Sequence, residues 1–361
     1  MDPDSRELAV VAAPDNPAPV LPAELEDRRA VASDPSQPTL ARLEAFEDIL
    51  ESEVGDTALL RARNLERAYG LRQIYLKFEG ANPTGTQKDR IAFAQVLDAL
   101  RRGFDAVTVA SCGNYGAAIA FAASVAGLRC HIFIPDGYHT TRLRELKELG
   151  AEVVLSPGDY EAVVVASREL AERREIYDAN PGGANTSIQL RAYGEIAYEA
   201  YDELRDAPAA VAVSVSNGTT LAGIHRGFVS LFRRGRISRY PRMVAGSSPH
   251  KNPIVRAFLH KSERCDDLEP VRIRENAVNE PLINWHSFDG EQALEAIRQT
   301  NGWAAHASDR SMRVLARLLR EKEGISVLPA STAGLHALLS YHQLNPLPSD
   351  RYLAVLTARK S

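Results

Sequence analysis

Cysteine is scarce in this chain: only Cys112, Cys130 and Cys265 occur among 361 residues. Three thiols cannot build a disulfide framework, and none stands at metal-ligand spacing from another, so a reducing, cytoplasmic setting is expected and no metal. Charge of one sign is lacking too. A formal net charge of −4 excludes the strong basic balance that nucleic acid or a lipid surface would call for. There is no apolar run of membrane-spanning length, and the acidic, proline-rich start "MDPDSRELAVVAAPDNPAPV" lacks the basic-then-apolar order of a secretory leader. With 45% hydrophobic and 25% charged residues the composition is that of an ordinary globular protein. At this length two lobes are the expectation, because a single core seldom keeps growing so far.

What is present is alternation. Residues 1–38 are proline-rich and weakly periodic and read as an arm, with Thr39 as a cap for the amphipathic run that follows. From there "RQIYLKFEG", "AVTVAS", "RCHIFIP" and "AEVVLSPG" read as short apolar strands. Between and after them, "DRIAFAQVLDALRRG", "YGAAIAFAASVAG", "TTRLRELKELG" and "DYEAVVVASRELAERR" read as helices. The second half repeats the theme through "AAVAVSVSNGTTLAGIHRGFVSLFRRG", "PRMVAGSS", "DRSMRVLARLLREKEG" and "YLAVLTARKS". Such repetition predicts an α/β fold of mostly parallel twisted sheet flanked by helices. The reading divides it into a lobe of residues 85–184 and a larger one of 39–84 plus 185–361.

In parallel sheets ligands bind beyond the carboxyl ends of strands, so the loops there carry the functional expectation. "SNGTTLAG" (216–223) is a small polar turn opening a helix, suited to a phosphate through backbone N–H groups and the helix dipole. "SCGNYGA" (111–117) has the same build and suits a carboxylate. Lys88 stands at a helix start in "NPTGTQKDRIA", where the dipole disfavours a cation and where a depressed pKa would leave a reactive amine. Asp89 and Arg90 beside it read as a helix-start support and a structural ion pair. Each feature alone fits a blander role: a capped helix start, a tight turn, a solvated lysine. Together with Thr357 at a late strand end, they are the parts needed to hold pyridoxal 5′-phosphate and an amino acid. Ser331 and Thr332 read as a capped helix start, and the scattered histidines His225, His286 and His306 name no site.

The segments "KFEGANPTGTQKDR", "SCGNYGAAIAFAA", "SNGTTLAG", "EGISVLPASTAGLHAL" and "AVLTARKS", in that order, resemble the fold-type II pyridoxal-phosphate enzymes, whose fold is that of the tryptophan synthase β chain, and among them the threonine synthases. The resemblance implies Lys88 as the Schiff-base lysine and proton carrier. It implies Ser216, Asn217, Gly218, Thr219, Thr220 and Leu221 as the phosphate loop, and Thr357 as a hydroxyl partner of the pyridine nitrogen. Thr86, Ser111, Cys112, Gly113, Asn114 and Tyr115 fall on the substrate loops, Asn114 also meeting the cofactor's ring hydroxyl. Gln189 falls where relatives carry an arginine near the substrate phosphate, with Arg191 close by. The implied activity is conversion of O-phosphohomoserine and water to threonine and phosphate by a homodimer acting on a small amino acid. The differences at Gln87, Cys112, Thr219, Thr220, Gln189 and Ala358 keep two alternatives open. One is β-replacement or β/γ-elimination on another serine- or homoserine-derived substrate; the other is a non-catalytic amino-acid-binding module.

Overall fold

A computed structural model describes residues 18–111, 113–136 and 142–360; Cys112 lies outside the described residues. Ten strands occur among them. They are β1 (Leu59–Arg61), β2 (Ile74–Phe78), β3 (Ala106–Ala110), β4 (Arg129–Pro135), β5 (Glu152–Ser156), β6 (Tyr177–Asp178), β7 (Ala210–Ser214), β8 (Arg242–Ser247), β9 (Trp303–His306) and β10 (Tyr352–Leu356). The helices are α1 (Glu26–Ser33), α2 (Thr39–Glu53), α3 (Arg63–Tyr69), α4 (Lys88–Arg101), α5 (Asn114–Ala126), α6 (Leu143–Glu148) and α7 (Tyr160–Arg174). They continue with α8 (Thr186–Leu204), α9 (Thr219–Arg233), α10 (Pro253–Leu259), α11 (Gly290–Gln299), α12 (Asp309–Glu323) and α13 (Ala333–Leu344).

The strands form two sheets. The larger has the order β1-β2-β10-β7-β8-β9, parallel except for β1, and the smaller, β5-β4-β3-β6, is parallel throughout. In the larger sheet the last strand, β10, lies between β2 and β7, pairing Leu356 with Phe78 and Val355 with Val213. The chain end and an early strand thereby bring their carboxyl ends together. Period-2 alternation sends side chains to two cores: Val211, Val213, Leu353 and Val355 enter one, Ala210, Ala212, Ala354 and Leu356 the other. Burial on both faces is why these strands read as unbroken apolar runs.

Two local readings are corrected. Thr39 is the first residue of α2 rather than its cap; Pro38 holds the cap position, its fixed φ suiting a helix start. The part of the arm beyond residue 17 is not wholly irregular, since α1 packs with Ala32 buried. Arg42 fixes it there, its Nε donating to Ala32 O (3.0 Å) and its Nη2 to Ala126 O (2.8 Å), so one guanidinium serves carbonyls at the ends of α1 and α5. Gly127, at φ 65°, ends α5 where a Cβ would lie 2.1 Å from Ser33 O. No described helix is long and apolar enough to cross a membrane.

Candidate active site

The site begins with how the Lys88 turn is held. Asp89, fully buried, accepts from Thr84 N (2.9 Å) and Thr84 Oγ1 (2.8 Å), closing the turn that leads into α4. Burial pushes its carboxyl up to about 7, against the pull of those bonds. Arg90 forks onto Glu79 through Nε (2.6 Å) and Nη2 (2.9 Å) and onto Glu199 through Nη1 (2.6 Å) and Nη2 (2.9 Å). Lys77 Nζ reaches Glu199 at 2.6 Å, so two cations and two carboxylates tie β2, α4 and α8 together. The expected helix support and ion pair are both there.

This frame presents Lys88 in a half-buried position, its Nζ 5.4 Å from the Tyr115 ring centre and 5.9 Å from that of Tyr193. Burial lowers its pKa to about 8, with Asp289 opposing the shift. The aromatic walls are themselves fixed. The Tyr115 hydroxyl donates to Ala179 O (2.6 Å) and accepts from Gln95 Nε2. Gln95 Oε1 in turn accepts from Asn185 Nδ2 and Gln189 Nε2 (3.1 Å).

The other predicted segments converge on the lysine. Gln87 N donates to Thr357 O (2.9 Å), Thr86 bridges Ala358, and Arg359 N donates to Gly85 O (2.9 Å), so the end of β10 lies against the Lys88 turn. The Thr357 hydroxyl is 3.0 Å from Ser331 Oγ, which accepts from Ala358 N (2.9 Å). Ser331 therefore clamps the chain end instead of capping a helix as its sequence context suggested.

Asn114 opens α5 behind Gly113, which offers no side-chain cap, and Gly113 N donates to Ser111 Oγ (3.3 Å). The N–H groups of this helix start suit an anion. Glu280 Oε1 is the nearest foreign atom to the space a Gly113 Cβ would fill, at 3.7 Å. The Ser216–Leu221 loop is braced from behind. Ser216 O accepts from Asn252 Nδ2 (3.0 Å) and Ser287 Oγ (3.2 Å), and Asn217 Oδ1 accepts from Asn284 Nδ2 (3.1 Å). Gly218, at φ 93°, is the uncapped N-cap of α9, and Leu221 is fully buried, leaving only its backbone to face the loop.

Gln189 lies one layer behind Tyr115. Its amide nitrogen faces Gln95 Oε1 and the carbonyls of Ala179 and Asn180, and its buried Oε1 meets no protein donor. Arg191 is on the exposed face of α8. Three residues that matter here had no local signal in the sequence: Tyr193, Asp289 and Ser331 reach the site from chain segments far from Lys88. His286 pairs with Asp267 (2.8 Å), and His306 packs on His250 at 5.0 Å between ring centres.

The donor set fits an aldehyde-bearing phosphorylated cofactor: an amine of lowered proton affinity, an uncapped helix start shaped by a glycine cradle, and a pinned hydroxyl opposite. A Cβ at Gly218 would stand 2.9 Å from Asp289 O and 2.8 Å from Ala293 Cβ. Gly218→Ala is therefore expected to lower stability by about 1–3 kcal/mol through strain at positive φ and to weaken cofactor binding, as read by denaturant melts and an absorbance titration.

An α/β cleft carrying such a lysine between two anion-suited helix starts is the equipment of a carbonyl-cofactor enzyme. The chain belongs to the pyridoxal-phosphate dependent enzyme family, whose model matches residues 50–358. It is 30% identical over 305 residues to threonine synthase of Methanocaldococcus jannaschii, covering 84% of this chain and 74% of that one. It is also 30% identical over 290 residues to threonine synthase of Mycobacterium tuberculosis, covering 79% and 75%. Among solved structures it resembles a bacterial-type threonine deaminase from T.th. (TM-score 0.72, 21% identity, 90% and 99% covered). It likewise resembles a pyridoxal 5′-phosphate-dependent aspartate racemase (TM-score 0.73, 19% identity, 88% and 94% covered). These likenesses bear out the fold-type II fold and the cofactor expected from the sequence.

Proposed function

We propose that this protein is a carbon–oxygen lyase of the threonine synthase type, releasing a leaving group from the side chain of a small amino acid. The observation that carries the reading is Lys88, walled by Tyr115 and Tyr193, at a pKa of about 8 between two helix N-termini. Bound there, pyridoxal 5′-phosphate supplies the electron sink that makes bonds at Cα labile. Lys88 is the group that would hold the cofactor's carbonyl carbon and, once released, move protons at the substrate's Cα and Cβ. The α5 start, with Ser111, Gly113 and Asn114, orients the substrate carboxylate. The Ser216–Leu221 loop receives the cofactor phosphate. Thr357, a neutral hydroxyl held by Ser331, faces the ring nitrogen without charging it, which favours elimination and replacement over transamination. The two tyrosines keep water from the amine. The protein is expected to work in the cytoplasm as a homodimer, with Thr86 in the substrate-facing turn.

A second reading within the same chemistry has its own support. Gln189 turns its donors toward Gln95 and backbone carbonyls, and Arg191 is exposed, so neither supplies the forked cation that suits a dianionic leaving group. A serine- or homoserine-derived substrate with a different leaving group answers that arrangement. The deciding experiment incubates the loaded enzyme with O-phosphohomoserine and with O-acetyl and free hydroxy amino acids, assaying threonine, phosphate and keto acid. Threonine and phosphate in equal amounts from O-phosphohomoserine alone is the expected result. Turnover of the others without phosphate release would select the second reading.

A further inference from the structure

Asp289 occupies the N-cap position of α11, yet its side chain caps nothing there. Its Oδ2 instead accepts the hydroxyl of Thr219, the first residue of α9, and its backbone N donates to Asn217 O at 3.0 Å. The residue is thus joined to the Ser216–Leu221 loop by side chain and main chain, at 2% exposure. The groups facing it are Thr219, Lys88 of α4 and Arg168 of α7, the last already engaged with Asp178 (3.4 Å) and stacked on Phe288.

An asparagine would accept the same Thr219 bond without the desolvation that a buried carboxylate suffers, so the charge itself is what this position retains. That charge has a direct effect on the loop. While the Thr219 hydroxyl points at Asp289, its proton is withheld from any anion entering, and the α9 N-terminus already faces a negative charge belonging to the protein. The same carboxylate opposes the loss of a proton from Lys88, whose amine must be neutral to react with a carbonyl.

We infer that Asp289 is a built-in anion beside the cofactor-phosphate loop, balancing the Lys88 ammonium in the unloaded protein and taking up that ammonium's proton when the phosphate group enters. One proton leaves Lys88 Nζ and arrives on the Asp289 carboxylate, leaving a neutral amine and a neutral carboxyl that can donate to the incoming phosphate. No other reactant is needed. The inference rests on the assignment of Ser216–Leu221 to the cofactor's phosphate.

The test is an absorbance titration of cofactor-free wild type and Asp289→Asn with pyridoxal 5′-phosphate and with pyridoxal, near pH 8.5. At that pH most of Lys88 is already neutral, so a change in its proton affinity contributes little and the phosphate contribution stands out. Asp289→Asn is expected to bind pyridoxal 5′-phosphate about ten-fold more tightly or better, with pyridoxal affinity changed less than about three-fold. Unchanged or weaker binding of pyridoxal 5′-phosphate would overturn the inference, as would an equal gain for pyridoxal. If wild type itself fails to distinguish the two ligands, the loop assignment falls and the inference with it. Asp289→Ser, also neutral and small, serves if the asparagine variant does not fold, with circular dichroism as the check.

Discussion

Lys88→Ala is expected to bind pyridoxal 5′-phosphate without the imine absorbance of the wild type and to lose at least about 10³-fold in turnover, the range for removal of a positioned base that also serves as the cofactor's anchor. The argument starts from the turn. Lys88 is the first residue of α4, where the helix dipole works against its charge, and it is walled by two buried aromatic rings. Both effects penalise the ammonium, and burial is the larger cause of its lowered pKa of about 8. A free lysine, at about 10.4, would present well under one neutral amine in a thousand at pH 7, whereas a pKa of about 8 presents roughly one in ten. The rate of cofactor attachment should therefore rise about ten-fold between pH 7 and pH 9 and then level. A flat profile over that span, by stopped-flow absorbance, would show that proton loss from Lys88 does not limit attachment. Lys88→Arg is the sharper control: it keeps a cation and much of the packing but offers no neutral amine, so it should match alanine in chemistry while remaining closer to wild type in stability.

The parallel strands were legible in the sequence because burial on both faces leaves short unbroken apolar runs, and the loops that carry chemistry follow from where parallel strands end. Lys88, Asn114, Gly218 and Thr357 could be picked out for that reason. Helix α8 was not assigned, and the cause is physical. It opens in "PGGANTS", and Gly194 interrupts its face, which reads as loop; yet Gly194 and Gly227 let α8 and α9 approach so closely that a Cβ on Gly227 would meet Gly194 O at 2.4 Å. Small residues that mark a tight helix crossing look like turn residues when the partner is unknown. Asp289 and Ser331 escaped for a different reason. Both act across the fold, on Thr219 and on Thr357, and nothing in "SFDGEQ" or "LPASTAG" points to a partner that distant in the chain.

Arg90→Ala is expected to destabilise the fold by about 3–5 kcal/mol, the range for breaking a buried ion pair from one side. The guanidinium is almost wholly buried and makes forked bonds to two carboxylates, so its removal leaves Glu79, which has no exposure at all, with only Thr57 Oγ1 (2.7 Å) and Asn82 Nδ2 (3.1 Å) as partners. Lys77 cannot substitute, because its Nζ is committed to Glu199 and to Thr57 O. The same network gives an acid-stability signature. Burial would raise the Glu199 pKa, but the Arg90 bonds and the nearby Lys77 charge hold it down to about 2. A carboxylate whose folded pKa is depressed stabilises the fold above its unfolded value and loses that contribution as pH falls toward the folded one. Wild-type stability should therefore drop between about pH 4.5 and pH 2, and this part of the drop should be much smaller in Arg90→Ala, as measured by urea melts across that range. Because Arg90 follows Lys88 by two residues on α4 and ties that helix to β2 and α8, the variant should also bind cofactor less tightly where it is still folded. A variant with normal cofactor affinity and a loss below about 1 kcal/mol would mean that the Thr84–Asp89 turn alone positions the lysine.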